Sequence, residues 1–254
     1  MFPLGQGLFF FLAGTALSSF SLATVYRLER DLSLWARSAC EGCSKSLGPL
    51  DLIPLLGWVF RRGACPHCAY KIPLRYPLLE LAGGILALGL YLWGGAGPET
   101  YRALALWFGL GLISWLDFKT GQIYTLPIVF LAVLQGLYLG LWAPEARVDS
   151  LIGLLCGAGF FYWVSLLYRF FRGREGLGEG DASLLGLLGF TFGWSALLPL
   201  VFLSACLGVI GGVSLIIAGK TGWSDQLPYG PYLALSAALY AAAPEFWEHY
   251  FHLF

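Results

Sequence analysis

The stretch Gly178-Glu179-Gly180-Asp181 is an acidic glycine turn that lies between two long apolar segments of the sequence. Its two glycines allow the backbone to turn tightly and to approach another segment closely. Asp181 then precedes an apolar run that begins at Leu184, which is a position typical of a helix N-cap. The turn therefore predicts a carboxylate that is held at the boundary of an apolar layer.

A second carboxylate, Asp117, ends an apolar run over residues 109–116. Taken singly, each residue has a structural explanation, with Asp181 as a helix cap and Asp117 as a polar helix end. Two carboxylates that meet at one depth can instead share a proton and activate a water molecule. The sequence has no Walker loop, dinucleotide fingerprint or HExxH motif. The pair therefore predicts the catalytic dyad of an aspartic protease.

The composition predicts an all-α, polytopic membrane helix bundle. Of the 254 residues, 58% are hydrophobic and only 12% are charged, and the mean hydropathy is +0.72. A membrane-spanning helix needs roughly 20 apolar residues. Apolar runs of this kind cover residues 8–25, 77–96, 101–117, 124–143, 149–171 and 230–250. The block 184–219 would form a helix about 54 Å long at about 1.5 Å per residue, so we expect a break near Gly193-Trp194 or Pro199 and about eight spans in all.

Basic residues predict the orientation of these spans. The segment 27–75 holds eight lysines and arginines, and five more follow in alternate loops, whereas only Arg102 and Arg147 fall on the other face. Because positively charged loops stay in the cytoplasm, both termini are expected outside and both aspartates at the cytoplasmic face. The first apolar run lacks a basic start, which favours a retained helix over a signal peptide. We therefore expect a first transmembrane helix over 1–26, a cytoplasmic region over 27–75 and a membrane-embedded core over 76–254.

The cytoplasmic region carries two CxxC motifs separated by 21 residues. The four cysteines are Cys40, Cys43, Cys65 and Cys68. This spacing is typical of a structural zinc site, in which four thiolates hold the metal tetrahedrally. A pair of disulfides is the alternative, but cytoplasmic thiols remain reduced. Since a region of roughly 50 residues has little core, bound zinc would help it to fold.

Two charged residues stand at the start of the second predicted span. Arg75 begins the motif Arg75-Tyr76-Pro77, and Glu80 follows one helical turn later. An ionisable group at that depth usually has a partner or a function. We therefore assign Glu80 and Arg75 a possible secondary role.

Several separated motifs together resemble the prepilin peptidases, or type IV leader peptidases, which are membrane aspartic proteases of the GxGD kind. The resemblance covers nearly the whole chain. It rests on the first helix and its exit at residues 14–28, the four cysteines, residues 51–58, residues 75–80, the two aspartate motifs and the turn Leu227-Pro228-Tyr229-Gly230-Pro231. Ser183 differs from the lysine that family members usually carry two residues beyond the second aspartate.

The resemblance implies that Asp117 and Asp181 are catalytic and that Gly178 and Gly180 support them. It implies an endopeptidase of the bacterial inner membrane that removes the short basic leader from prepilins or pseudopilins at the cytoplasmic face, in type IV pilus or type II secretion systems. It also implies that the enzyme can N-methylate the new N-terminus with S-adenosylmethionine. The expected partners are this substrate and membrane lipid, with no nucleic acid; the oligomeric state, the individual pilin and the pathway stay open.

Two other classes of function compete with the protease. In a proton-coupled carrier, Asp117, Asp181 and Glu80 would form a relay and the zinc-binding loop would regulate transport. In an assembly scaffold, both aspartates would be replaceable. The position of both aspartates beside basic cytoplasmic loops favours the protease.

Overall fold

The computed structural model describes residues 3–172, 178–220, 222 and 227–251. Within these residues the chain forms ten α-helices and no strand, apart from two isolated β-bridges. The helices are α1 (Leu4–Glu29), α2 (Leu56–Phe60), α3 (Arg75–Gly94), α4 (Pro98–Thr120), α5 (Thr125–Leu141), α6 (Arg147–Arg172), α7 (Glu179–Phe192), α8 (Leu197–Ile217), α9 (Gly230–Ala242) and α10 (Pro244–Phe251). Short 3-10 helices cover Pro49–Leu52 and Pro144–Ala146. The predicted all-α fold is confirmed for the described part of the chain.

Four of the described helices are long and apolar enough to cross a membrane, and Thr125–Leu141 is a shorter apolar helix. The four are Leu4–Glu29, Arg75–Gly94, Pro144–Tyr168 and Leu197–Ile217. This number supports a membrane protein of several spans. The finer expectation of about eight spans stays a proposal.

The long apolar block 184–219 is broken at the predicted place. α7 ends at Phe192, and Gly193 follows with φ of +88° while its N–H donates to the carbonyl of Gly189 at 2.9 Å. Only glycine adopts this backbone region without strain, so the residue ends the helix. The chain resumes a helix at Leu197.

The last apolar run differs from the prediction, because a single span over 230–250 is wrong. The run is divided into α9 and α10, with Ala243 between them in a non-helical conformation. Pro244 has no backbone N–H and is favoured at the first position of a helix, so it begins α10 and cannot extend α9.

The chain divides into two compact units, 1–108 and 109–254, with the boundary inside α4. In the first unit α1 packs on α3 through small residues. A Cβ atom added to Gly14 would collide with the carbonyl oxygen of Gly83, so the two backbones meet directly. Phe10 stacks on Tyr91 with ring centroids 4.8 Å apart, next to Leu104.

In the second unit α7 is the central helix. All residues from Leu184 to Phe190 are buried, which is expected of a helix that is surrounded by protein. α6 approaches it closely, since a Cβ atom on Gly153 would collide with the carbonyl oxygen of Gly189. α5 is joined to it by a hydrogen bond from Gln135 Nε2 to the carbonyl of Phe190 at 3.2 Å. The first turn of α7 is therefore held by a well-packed helix.

Candidate active site and metal centre

Asp117 lies in the last turn of α4 and is only 4% exposed. The helix ends three residues later, where Gly121 donates its N–H to the carbonyl of Asp117 at 2.7 Å. The carboxylate oxygen Oδ2 accepts a hydrogen bond from the backbone N–H of Gly230 at 2.8 Å. This buried carboxylate thus has a fixed orientation.

Asp181 lies in the first turn of α7, and this placement corrects one interpretation of the sequence. The N-cap of α7 is Gly178, so Asp181 is the third helical residue and not the cap. Its carboxylate accepts a hydrogen bond from the N–H of Gly178, and its own N–H donates to the Gly178 carbonyl at 3.1 Å. An acidic side chain at this position commonly reaches back to the N-cap in this way. The half-buried carboxylate is therefore held at the start of the central helix.

Gly180 brings the start of α7 against the segment that follows α4. A Cβ atom at this position would lie 2.5 Å from Cβ of Ile123, a separation that no side chain tolerates. Because Ile123 follows Asp117 by six residues, this contact brings the two aspartates towards each other. The negative charge of Asp117 acts on the carboxylate of Asp181. The structure therefore brings together Asp117, Gly178, Gly180 and Asp181.

The turn over residues 227–231 completes this site. A Cβ atom on Gly230 would lie 2.9 Å from Asp117 Oδ2, so a side chain at this position would crowd the carboxylate. The Tyr229 hydroxyl hydrogen-bonds the Ser204 hydroxyl at 2.6 Å and lies within the electrostatic range of Asp181. Two carboxylates in such a setting can hold one proton between them and activate water.

Sequence reasoning assigned no role in the site to Tyr229, Gly230 or Ser204. The signal available was the sequence Leu227-Pro228-Tyr229-Gly230-Pro231, in which two prolines fix a turn around a glycine. The sequence indicates the turn, but it does not indicate which carboxylate the turn contacts.

The four cysteines form a cluster in the first unit. Their sulfur atoms all lie within 4.8 Å of one another, and Cys40 Sγ is 3.7 Å from Cys68 Sγ. Four thiolates bound to Zn²⁺ at about 2.3 Å in a tetrahedron would be separated by about 3.8 Å. The cluster therefore fits a metal such as zinc.

The two CxxC motifs lie in loops with the same backbone conformation, which we call the first knuckle (residues 38–47) and the second knuckle (residues 63–72). In each knuckle the N–H of the first cysteine donates to the carbonyl five residues later, at 2.9 Å for both Cys40 and Cys65. The fourth residue after that cysteine has a positive φ in each, 57° at Ser44 and 56° at Ala69. Because the two knuckles share these features, the pair Cys40 and Cys43 and the pair Cys65 and Cys68 are held by equivalent backbone conformations.

Glu80 and Arg75 have contacts within the first unit. Glu80 is 9% exposed, and its Oε2 accepts a hydrogen bond at 2.7 Å from the N–H of Leu55, a non-glycine residue with φ of +63°. Glu80 thereby joins α3 to the loop between the knuckles. Arg75 is exposed, and its guanidinium lies 5.4 Å from the ring centroid of Tyr76.

Two family models match the chain. The bacterial Peptidase A24 N-terminal domain matches residues 12–93, and the Type IV leader peptidase family matches residues 103–213. The first match contains all four cysteines, and the second contains both aspartates.

Curated relatives that carry the name prepilin leader peptidase/N-methyltransferase are similar over most of the chain. The protein of Burkholderia pseudomallei (strain K96243) is 35% identical over 80% of this chain and 65% of its own length. The Aeromonas salmonicida (strain A449) protein is 34% identical over 82% of this chain and 72% of its own length. The Pseudomonas aeruginosa protein is 32% identical over 78% of this chain and 69% of its own length. No solved structure matches the chain significantly.

Proposed function

Because the chain belongs to the type IV leader peptidase family, we propose that it is a membrane aspartic endopeptidase with Asp117 and Asp181 as its catalytic residues. One observation supports this assignment most strongly. The buried carboxylate of Asp117 is oriented by the Gly230 N–H and is close enough to Asp181 for the two charges to interact. Family membership favours the protease over the carrier.

The two carboxylates would share one proton. The ionised carboxylate takes a proton from water as the water oxygen bonds to the peptide carbonyl carbon, and the protonated partner gives its proton to the carbonyl oxygen. When the carbon–nitrogen bond breaks, the leaving amine takes up a proton from the dyad. No acyl-enzyme forms in this scheme.

The substrate would be a prepilin or pseudopilin, as the names of the relatives indicate for those proteins. Such a substrate has a short basic leader before a hydrophobic helix. The distribution of basic residues supports cleavage at the cytoplasmic face of the bacterial inner membrane by a chain of about eight spans. The substrate helix must unwind locally, and a site at the headgroup boundary supplies the water that the bilayer core lacks.

The four cysteines would hold a structural Zn²⁺. Zinc bound by all four cysteines would link the two knuckles and stabilise a region with few buried apolar residues. The relatives' names support a second reaction, N-methylation of the new N-terminus, for which S-adenosylmethionine supplies the methyl group when bound.

The proposed function is tested with the purified, zinc-loaded protein in lipid vesicles and a synthetic prepilin. Mass spectrometry of the product identifies the cleaved bond, and added S-adenosylmethionine shows whether the new amine gains one methyl group. We expect a single cut between the basic leader and the hydrophobic helix. An uncut prepilin, together with proton transport by the same vesicles, would favour the carrier instead.

A further inference from the structure

The loop between the knuckles contains the short helix α2, one side of which is attached to the rest of the first unit. Gly57 is buried, and a Cβ atom on it would lie 2.5 Å from the carbonyl oxygen of Asp51. The Trp58 Nε1–H donates to the backbone carbonyl of Ile72 at 3.1 Å. These contacts give α2 a fixed position and determine which of its sides is exposed.

The exposed side of α2 consists of large apolar side chains. Leu56, Val59 and Phe60 are 49%, 59% and 69% exposed, and their spacing places them on one side of the helix. Leu50, whose carbonyl oxygen lies beside Gly57, is 68% exposed. We call these four side chains the apolar face. Adjoining exposed side chains of this size mark a surface that binds a membrane or another molecule.

A hydrogen bond to α3 holds α2 near the membrane boundary. α3 has 20 residues and is one of the candidate spans, and its length of about 30 Å at about 1.5 Å per residue equals the thickness of the hydrocarbon core. Glu80 lies about 7.5 Å along this helix from Arg75. Its Oε2 accepts the N–H of Leu55, the residue before α2, at 2.7 Å. The apolar face is therefore close to the bilayer.

Two arginines directly follow the apolar face. Arg61 forms an ion pair with Asp51. Arg62 is exposed, and no acidic residue in the described part of the chain pairs with its guanidinium. Apolar side chains next to cations are typical of segments that lie in the interface of a membrane that contains anionic lipids.

We propose that the apolar face docks on the anionic lipid leaflet beside the start of α3. Leu56, Val59 and Phe60 enter the acyl boundary, and Arg62 contacts the phosphates of the headgroups. A lipid leaflet matches both features of this surface, because acyl chains take up the apolar side chains and anionic headgroups supply the charge that Arg62 lacks. Docking holds the loop at the membrane in addition to α1 and α3. This inference goes beyond the proposed function and does not depend on the reaction.

The test uses photo-cross-linking in the full-length, zinc-loaded protein, reconstituted in vesicles of equal parts phosphatidylglycerol and phosphatidylcholine. Phe60→p-benzoylphenylalanine probes the apolar face. Ile85→p-benzoylphenylalanine, at an exposed site of the α3 span, is the positive control, and Lys45→p-benzoylphenylalanine, at an exposed site of the first knuckle, is the negative control. Mass spectrometry identifies each adduct. We expect lipid adducts at Phe60 and Ile85 and about tenfold fewer at Lys45, which stays in water.

A second measurement tests the role of Arg62 in the choice of lipid. Phosphatidylglycerol should be enriched over phosphatidylcholine among the adducts at Phe60. Arg62→Gln should lower this enrichment about fivefold, the effect of one cation near an anionic surface. Lys71→Gln removes an exposed cation of the second knuckle and should leave the enrichment unchanged. Zinc content and gel-filtration profiles establish that each variant is folded.

The identity of the adducts decides the outcome. Adducts of Phe60 with residues 109–254 or with a second copy of the chain, in place of lipid, would overturn the proposal. Equal lipid labelling at Phe60 and Lys45 would overturn it as well, and equal labelling of both lipids would overturn the anionic preference. Cleavage of a synthetic prepilin is measured in the same vesicles. Lipid adducts at Phe60 without cleavage would count against the proposed function alone.

Discussion

At the scale of single residues, acidic side chains in apolar surroundings are informative because they are rare. The sequence alone therefore predicts Asp117 and Asp181 as candidate catalytic residues. The contact between Gly230 and Asp117 joins residues 113 positions apart, and no local pattern encodes a pairing of that separation. For this reason the sequence predicts the carboxylates but not the amide that orients one of them.

Gly230→Ala tests the orientation of Asp117. The added Cβ would lie 2.9 Å from Asp117 Oδ2, so the carboxylate must move. Since small displacements of a catalytic group cost about a hundredfold in rate, we expect prepilin cleavage to fall by about that factor. Gly111→Ala, in the same helix as Asp117 but with no atom within 4 Å of the added Cβ, is the matched control. Equal rates for the two variants would show that the Gly230 contact has no role in catalysis.

Tyr229→Phe tests whether the tyrosine hydroxyl, which belongs to the same turn as Gly230, also contributes to the site. The change keeps the ring and removes the hydroxyl that bonds Ser204 at 2.6 Å. A net loss of about 1 kcal/mol in stability is expected for one hydrogen bond. If the hydroxyl acts on Asp181, the pH dependence of cleavage shifts as well, whereas Ser204→Ala, which keeps the phenol, produces a smaller shift. An unchanged pH profile would restrict Tyr229 to a structural role.

At the scale of helices, length and backbone chemistry explain what the sequence could predict. The block 184–219 exceeds one membrane crossing, and Gly193 provides the break. The break before Pro244 was not predicted from the sequence. The surrounding run 230–250 has about the length of one span, so it was interpreted as a single helix in spite of the proline. The position of the loop between the knuckles depends on the hydrogen bond between Glu80 and Leu55. These residues are 25 positions apart, and no periodic sequence pattern predicts a contact at that separation.

Glu80 is expected to stabilise the first unit rather than to relay protons. Glu80→Ala leaves the N–H of Leu55 without this acceptor, which should cost about 1–3 kcal/mol in the free energy of unfolding. Glu80→Gln keeps a carbonyl oxygen at the same place and should lose much less. Thermal unfolding of the purified variants measures the difference. If Glu80 instead relayed protons, Glu80→Gln would lose as much activity as Glu80→Ala, although it keeps the hydrogen bond to Leu55.

At the scale of the whole molecule, the composition was sufficient to predict a helical membrane protein, and the cysteine spacing was sufficient to predict that the four cysteines cluster. The division into units 1–108 and 109–254 could not be predicted, because it depends on which helices pack together. The cysteine cluster and the loop that Glu80 holds belong to the first unit, and the aspartates belong to the second.

Removing the metal should therefore act first on the region that contains the knuckles. Structural zinc contributes about 10–16 kcal/mol to the folding of small zinc domains. We expect one zinc per chain, and after chelation or Cys65→Ser we expect limited proteolysis to cut within residues 27–75. Cys156→Ser, which changes a cysteine outside the cluster, is the control. If residues 27–75 resist proteolysis equally well after the metal is removed, the assignment of a structural zinc is contradicted.

The most direct test of the aspartate dyad is prepilin cleavage by Asp117→Asn and Asp181→Asn at matched levels of correctly inserted protein. Each change keeps the size of the side chain and removes its ionisable group. Asp31→Asn is the control, because Asp31 is exposed and asparagine tolerates its φ of +54°. We expect each dyad variant to lose about 10²- to 10⁴-fold in rate, while Asp31→Asn cleaves normally. If either dyad variant cleaves at the wild-type rate, that residue is a structural helix end and the two-carboxylate mechanism is wrong.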